Sequence, residues 1–115
     1  YHGDGLIVST PTGSTAYSLS VGGPVVAPQC ACLVLSPVAP HNLTMRPVVI
    51  PSSSDVRLKV HARHAEISIA TCPIPEGAEF RVRLASRRFF LAVPHNISFY
   101  DTLRKKMMWG VDIRS

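Results

Sequence analysis

The chain has 115 residues, of which 46% are hydrophobic and 17% charged, with a formal net charge of +5. This length fits a single domain with a single hydrophobic core. No apolar run approaches the roughly 18 residues that a membrane span needs, and no signal-peptide pattern opens the chain. We therefore expect a cytoplasmic protein with no membrane partner.

The positive charge lies almost wholly in the second half of the chain, because no lysine or arginine precedes Arg46. At 81–84, arginines alternate with Val82 and Leu84, which predicts a strand with one solvated face of cations. Nucleic-acid sites interleave aromatic residues with cations, and here just Phe89 and Phe90 adjoin such a pair. We expect no nucleic-acid partner.

The stretch 4–23 concentrates hydroxyls and glycines after a short apolar run. Residues 6–8 predict a buried strand, which Pro11 and Gly13 end. A short helix is then expected up to Ser20, capped by Ser14 or Thr12 and stopped by the following glycine pair.

The chemistry of this turn favours a polar ligand with little charge. The backbone N–H groups of the first helical turn are expected to be open to an acceptor. A phosphate-binding P-loop requires a lysine, which this stretch lacks. A ribose, a carboxamide or an adenine edge fits the hydroxyls better. The alternative is a turn whose serines and threonines serve the local backbone alone.

The remainder of the chain has mainly strand-like periodicity. Short β-rich runs separated by turn residues favour a β-sandwich; they lie at 31–36, 47–50, 56–61, 66–71, 80–85 and 89–93. Helical spacing of Phe99, Leu103 and Met107 predicts a helix over 99–109, whose basic later part complements the helix dipole.

The cysteines and histidines admit a metal site but do not favour one. Cys30, Cys32 and Cys72 are expected to be core thiols, because zinc sites usually show two close pairs. His61, His64 and Cys72 could together hold a metal, although turn and edge histidines are the commoner arrangement. An independent hydrolase stays open as a weaker possibility, since no catalytic triad can be argued from spacing.

Three stretches resemble the NAD kinase family. Residues 4–17 read D-G-L-I-V-S-T-P-T-G-S-T-A-Y and are followed by G-G-P at 22–24, which is similar to that family's signature. Residues 35–49, around the sequence P-H-N-L-T-M-R-P-V-V, and residues 99–110, with L-R-K-K-M-M-W-G, also match family patterns. The resemblance covers essentially the whole chain.

The resemblance implies that residues 1–115 form part of the C-terminal NAD-binding and oligomerisation β-domain of an NAD kinase. It implies a mainly β, sandwich-like fold with a short helix after the Thr-Pro-Thr-Gly turn and a C-terminal helix, the N-terminal α/β domain being absent. The parent enzyme would phosphorylate the adenosine 2'-hydroxyl of NAD, using ATP with Mg²⁺, to give NADP. The catalytic aspartate of a Gly-Gly-Asp-Gly motif lies outside these residues, so the chain alone is expected to be inactive.

The family's substrate contacts carry over to seven positions. The implied NAD-binding residues are Asp4, Thr12, Thr15, Ala16, Tyr17, Ser20 and Ala39. Asp4 would approach the nicotinamide end from a neighbouring subunit, and Ala39 would contribute a backbone contact across subunits. The resemblance implies NAD and ATP as ligands, a homo-oligomer (dimer or tetramer), and no metal held by this segment.

One departure from the family pattern lies at 70–72, where Ala-Thr-Cys replaces the usual Asp-Gly-Gln or Asp-Gly-Arg. A ligand contact from this turn is therefore not predicted. A different kind of function also stays open, namely a non-catalytic nucleotide-binding or assembly β-module.

Overall fold

The computed structural model describes residues 2–61, 65–67, 72–88, 96 and 98–108. Its elements in chain order are β1 (Gly5–Ser9), a 3-10 helix (Thr12–Thr15), α1 (Tyr17–Ser20), β2 (Cys32–Val38), β3 (Val48–Pro51), β4 (Val56–Lys59), β5 (Ala65–Ile67), β6 (Cys72–Ile74), β7 (Glu79–Val82) and α2 (Phe99–Met107). The predicted mainly β fold, with one short helix after the turn and one near the C-terminal end, is confirmed. No helix in these residues is long and apolar enough to cross a membrane.

The main sheet is antiparallel, with strand order β1-β2-β3. Ile7 pairs with Ser36 across β1 and β2, and Val34 pairs with Val49 across β2 and β3. The central strand β2 is buried along most of its length, with Val34 fully enclosed. The strand predicted at 31–36 is therefore confirmed, and it continues to Val38. Its apolar run is typical of a strand that is covered on both faces.

Strands β4 and β7 form a separate antiparallel pair. Val56 is buried and Leu58 half-buried on one face, whereas Arg57 and Lys59 are exposed on the other, as alternation requires. Strand β7 ends at Val82, so its predicted continuation to residue 85 is wrong.

An exposed ion pair supports one edge of this two-stranded sheet. Arg81 lies opposite Arg57, and its guanidinium forms an ion pair with Asp55. The hydrogen bond from Arg81 lowers the pKa of the Asp55 carboxyl below its usual value. Asp55 therefore offsets the repulsion between two arginines that are paired across the strands.

The strand predicted at 66–71 is matched by β5 at residues 66 and 67, and residues 68–71 lie outside the described part of the chain. Strand β5 pairs antiparallel with β6. Residues 73–77 were predicted to separate two strands, but Pro73 and Ile74 belong to β6. The predicted strand at 89–93 lies outside the described residues.

Helix α2 begins at a capping box. The Ser98 hydroxyl accepts a hydrogen bond from the Asp101 N–H, and the Asp101 carboxylate accepts from Ser98 in return. Leu103 is buried, with Phe99 and Met107 half-buried on the same side, which confirms the predicted stripe. The helix ends at Met107, and residue 109 lies outside the described part of the chain.

The cysteine prediction is right in one case and wrong in another. Cys32 is buried in the core with Val26 and Val34. Cys30 is exposed. It lies in a turn just before β2, in which its N–H donates to the Ala27 carbonyl at 3.1 Å. The side chain of Cys72 lies outside the described part.

Candidate functional site

The turn after β1 consists of two short helical segments that meet at Ala16. The 3-10 helix and α1 have four residues each, and Ala16 between them has φ −96° and ψ −129°, outside the helical region. Neither segment has a side-chain cap, so the predicted cap at Ser14 or Thr12 is wrong. The direction of the chain changes at Ala16, which lies in the middle of the predicted site.

The backbone N–H groups of the first turn are used within the turn. The Ser14 N–H donates to the Pro11 carbonyl at 3.1 Å, and the Ala16 N–H donates to the Gly13 carbonyl at 3.1 Å. The Gly13 N–H donates to the Thr10 hydroxyl at 3.4 Å. The expectation that the amides are open to a ligand is therefore wrong for Gly13, Ser14 and Ala16.

Two serines of the turn face inward and fix it to the rest of the fold. The fully buried Ser14 hydroxyl donates to the Pro11 carbonyl at 2.6 Å and accepts from the Val26 N–H at 3.0 Å. The Ser18 and Ser36 hydroxyls form a buried hydrogen bond of 2.9 Å. Ser36 lies on the central strand β2, so this bond holds α1 against the main sheet.

Gly23 allows this buried hydroxyl pair to form. Its N–H donates to the Ser18 carbonyl at 2.8 Å. A Cβ atom at Gly23 would lie 2.4 Å from the Ser18 hydroxyl oxygen and 2.8 Å from that of Ser36. Any larger residue would therefore displace α1 from the sheet.

The side chains predicted to bind substrate are the ones that the turn presents outward. Tyr17 is 62% exposed and offers both its ring and its hydroxyl. Thr15 is half-buried, and the other members of this group are exposed; they are Thr12, Ala16 and Ser20. We call these five residues the outward face of the turn. The hydroxyls are thus divided between structure and surface, and local backbone bonding accounts for Ser14 but not for the outward face.

The two remaining predicted residues, Asp4 and Ala39, lie together at the start of β1. The Asp4 N–H donates to the Val38 carbonyl at 2.9 Å, and the His41 N–H donates to the His2 carbonyl at 2.8 Å. Ala39 lies between these two bonds and has φ +46°, in the left-handed region that non-glycine residues rarely adopt. This second group has a surface hollow beside it, lined by His2, His41, Asn42 and Leu43.

The two groups lie at opposite ends of β1. The strand has five residues, so its ends are roughly 15 Å apart. Asp4 directly precedes Gly5, the first residue of β1, and Ala39 directly follows Val38, which pairs with Gly5. The outward face comes after Ser9, the last residue of β1. No hydrogen bond between described residues joins the two groups. The predicted site residues therefore form two part-sites within one chain.

Several residues that shape the turn were not predicted from the sequence. Ser18 and Ser36 act through a contact between distant segments, and no local pattern indicates them. Gly23 was predicted to stop the helix, and the structure adds that it lies close to both of these serines. Ser9, at the end of β1, has a buried hydroxyl oxygen with no hydrogen-bond partner among the described residues. Lys106 of α2 donates a hydrogen bond to the Thr15 carbonyl, a contact across 91 positions of sequence.

The described residues do not suggest a metal centre. No group of three or more histidine, cysteine, aspartate or glutamate side chains comes together within them. Of the metal set considered from sequence, His64 and the side chain of Cys72 lie outside the described part. Negative charge in the site comes from Asp4, which is exposed.

A family comparison identifies the group to which the chain is related. The family described as ATP-NAD kinase C-terminal domain matches residues 1–91, which include both part-sites and the main sheet. The chain belongs to the NAD kinase family. The predicted resemblance to that family is therefore confirmed.

Curated relatives agree along the whole chain. The chain is 45% identical to an NAD kinase of Bacteroides fragilis, with 99% of the chain aligned to 41% of that protein. It is 43% identical to an NAD kinase of Christiangramia forsetii, with 100% of the chain aligned to 40% of that protein. The chain therefore spans about two fifths of the length of these NAD kinases.

Two solved structures share the fold. The chain superposes on a yeast NADH kinase complexed with NADH with a TM-score of 0.62 and 36% identity, covering 70% of the chain and 25% of that protein. It superposes on an NAD kinase from Archaeoglobus fulgidus in complex with ATP with a TM-score of 0.60 and 30% identity, covering 73% of the chain and 33% of that protein.

Proposed function

We propose that this chain is the NAD-binding and oligomerisation domain of an enzyme that phosphorylates the adenosine 2'-hydroxyl of NAD with ATP to give NADP. Membership of the NAD kinase family supports the chemistry, and the structure of the turn supports the binding role. The protein is proposed to act in the cytoplasm, as dimers or tetramers.

The observation that carries the proposal is the division of hydroxyls within the turn. Ser14 and Ser18 are buried and hydrogen-bonded to the scaffold, whereas Thr12, Tyr17 and Ser20 of the same turn are exposed. A turn whose polar residues served the backbone alone would not need to present a tyrosine ring and two hydroxyls together. Hydroxyl groups and an aromatic face suit a ribose and a planar base, which offer hydrogen bonds and a stacking surface.

The second part-site supports a contact across subunits. Asp4 offers a carboxylate that accepts hydrogen bonds from amide or ribose groups. Ala39 is held at a positive φ, and strained backbone of this kind is commonly found at ligand-binding sites. The two part-sites lie at opposite ends of β1. We therefore propose that each NAD is bound by the outward face of one subunit together with Asp4 and Ala39 of a neighbour.

Exposed apolar side chains support an oligomer. Strand β3 is an edge of the main sheet in the described residues, and its Val48 and Val49 are 51% and 52% exposed. Adjacent exposed apolar side chains on an edge strand are typical of surfaces that pair with another chain. We therefore propose that this edge contributes to the subunit contact.

Phosphoryl transfer needs groups that the described residues do not bring together. In such transfers, positioning and the neutralisation of phosphate charge provide most of the rate enhancement. No lysine or arginine lies between residues 1 and 45 of the sequence, and the cation that reaches the turn, Lys106, is bonded to the Thr15 carbonyl. The described residues form no cluster of metal-binding side chains. We propose that the catalytic base and the Mg²⁺–ATP site belong to the part of the enzyme outside this chain, and that these residues bind and orient NAD.

The proposal is tested by measuring NAD and ATP binding separately in the intact enzyme. Asp4→Asn and Tyr17→Ala should each weaken NAD binding by roughly 1 to 3 kcal/mol, because polar groups of NAD lose their partners. ATP affinity should barely change. Glu76→Gln and Leu84→Ala are the controls, since both residues are exposed and lie outside the turn and outside α2. Weakened ATP binding with unchanged NAD affinity would show that the turn holds phosphates instead.

The alternative of a non-catalytic nucleotide-binding or assembly module is tested with the chain alone and with the intact protein. We expect no NADP formation by the purified 115-residue chain with ATP and Mg²⁺, and NADP formation by the intact protein. Activity of the chain alone would mean that its catalytic base lies within these residues. An intact protein that binds NAD but forms no NADP would favour the module.

A further inference from the structure

Helix α2 is hydrogen-bonded to the turn after β1. The ammonium group of Lys106 donates a hydrogen bond to the main-chain carbonyl of Thr15. Lys106 and its two basic neighbours, Arg104 and Lys105, are all exposed, and Arg104 bonds Asp101 at 2.9 Å. Of these cations, Lys106 alone has a hydrogen bond to the turn among the described residues.

The carbonyl that Lys106 contacts lies at a critical point of the turn. Thr15 is the last residue of the 3-10 helix, and carbonyls at a helix end lack partners within that helix. The next residue, Ala16, leaves the helical region before α1 begins at Tyr17. Lys106 therefore stabilises the peptide that sets the direction of the chain between Thr15 and Tyr17.

The helix is well placed to hold this cation. The capping box of Ser98 and Asp101 fixes its start, and the buried Leu103 anchors its apolar side. Leu103 and Lys106 are three positions apart, so they lie on neighbouring parts of the helix surface. Lys106 therefore lies on a helix whose start is capped and whose Leu103 is buried.

We propose that Lys106 is a positioning residue for NAD, acting through the Thr15 carbonyl to fix the outward face of the turn. This inference rests on the proposed function, because it assumes that the outward face binds NAD. Lys106 does not contact the nucleotide itself in this proposal. Its loss widens the range of orientations available to Thr15, Ala16 and Tyr17.

The test uses the intact enzyme and compares four variants with the wild type. Lys106→Met keeps most of the aliphatic stem but removes the donor, Lys106→Ala removes both, and Lys106→Arg keeps a cation that can donate to a carbonyl. Lys105→Ala is the matched control, since Lys105 lies one position away and is exposed. The KM for NAD, the KM for ATP, kcat and the thermal midpoint are measured for each.

We expect Lys106→Met and Lys106→Ala to raise the KM for NAD by roughly 3- to 10-fold, the size expected from one lost hydrogen bond. The KM for ATP should stay within about twofold, and Lys106→Arg and Lys105→Ala should resemble the wild type. A purely structural role for Lys106 would instead lower the thermal midpoint and the amount of active enzyme, leaving the KM for NAD unchanged.

Three outcomes would overturn the inference in distinguishable ways. An unchanged KM for NAD in Lys106→Met, with an active wild type, contradicts the positioning role and leaves the proposed function intact. If Lys106→Met raises the KM for NAD and the KM for ATP equally, or if Lys105→Ala raises the KM for NAD as much as Lys106→Met does, the effect belongs to the helix in general and the positioning role is contradicted. An intact wild type that binds no NAD overturns the proposed function and this inference together.

Discussion

Gly23→Ala should be among the most destabilising single substitutions in the turn. The added Cβ would lie 2.4 Å from the Ser18 hydroxyl oxygen, 2.7 Å from the Ser18 carbonyl oxygen and 2.8 Å from the Ser36 hydroxyl oxygen. All three distances are shorter than normal van der Waals contact. Overpacking of this kind costs about 1 to 3 kcal/mol, and displacement of the serine pair costs about 1 kcal/mol more. We therefore expect a loss of about 2 to 4 kcal/mol in the free energy of unfolding.

The assay is urea unfolding of the intact protein followed by circular dichroism, in which a shifted midpoint with an unchanged m value reports stability. Gly22→Ala is the matched control, since Gly22 has φ +90° and no atom lies within 4 Å of its Cβ position. That control should cost about 1 kcal/mol through backbone strain alone. Adding Ser18→Ala and Ser36→Ala to Gly23→Ala should recover some of the lost stability, because both obstructing hydroxyls are removed. The recovery should be incomplete, because the Ser18 carbonyl still obstructs the Cβ. A Gly23→Ala variant no less stable than Gly22→Ala would refute the proposed close approach of α1 to the sheet.

Two further expectations concern hydroxyls and a carboxylate. Ser36→Ala should cost about 1 to 3 kcal/mol of unfolding free energy because it leaves the Ser18 hydroxyl buried and unpaired, whereas Ser9→Ala should change it by less than about 0.5 kcal/mol. Equal costs in urea unfolding would contradict the hydrogen-bond assignments. The pKa of Asp101 is lowered mainly by its hydrogen bond from the Ser98 side chain, so its NMR titration midpoint should lie below the usual value of about 3.9 and rise toward it in Ser98→Ala. Because this pKa is lower in the folded state, its contribution to stability is present above the unfolded-state pKa and is lost as pH falls through the folded-state value; a midpoint at or above the usual value would contradict it.

The sequence predicted those features that depend on neighbouring residues. The apolar run at the start of β2 and the spacing of Leu103 with Phe99 and Met107 both follow from side-chain periodicity, and both are confirmed. The outward face of the turn came from family resemblance, and the structure adds that its members are exposed or half-buried while Ser14 and Ser18 are enclosed.

Features that depend on distant segments could not be predicted. The Ser14 hydroxyl was expected to cap a helix, but it instead bonds the Val26 N–H, twelve positions along the chain. The partner of Ser18 is 18 positions away, and that of Lys106 is 91 positions away. Local preference for a cap is weak compared with the cost of leaving a buried amide unpaired, so the tertiary contact decides the role of Ser14.

The division of hydroxyls within the turn has a consequence for the tolerance of the enzyme to random mutation. Substitutions at Ser14 and Ser18 should lower the cellular abundance of the protein, and second-site stabilising mutations or a lower growth temperature should restore it. Substitutions at Thr12 and Ser20 should leave abundance nearly unchanged while reducing the NADP supply, and neither remedy should help. A mutational scan that scores abundance and growth separately would therefore assign residues only a few positions apart to two different classes of defect.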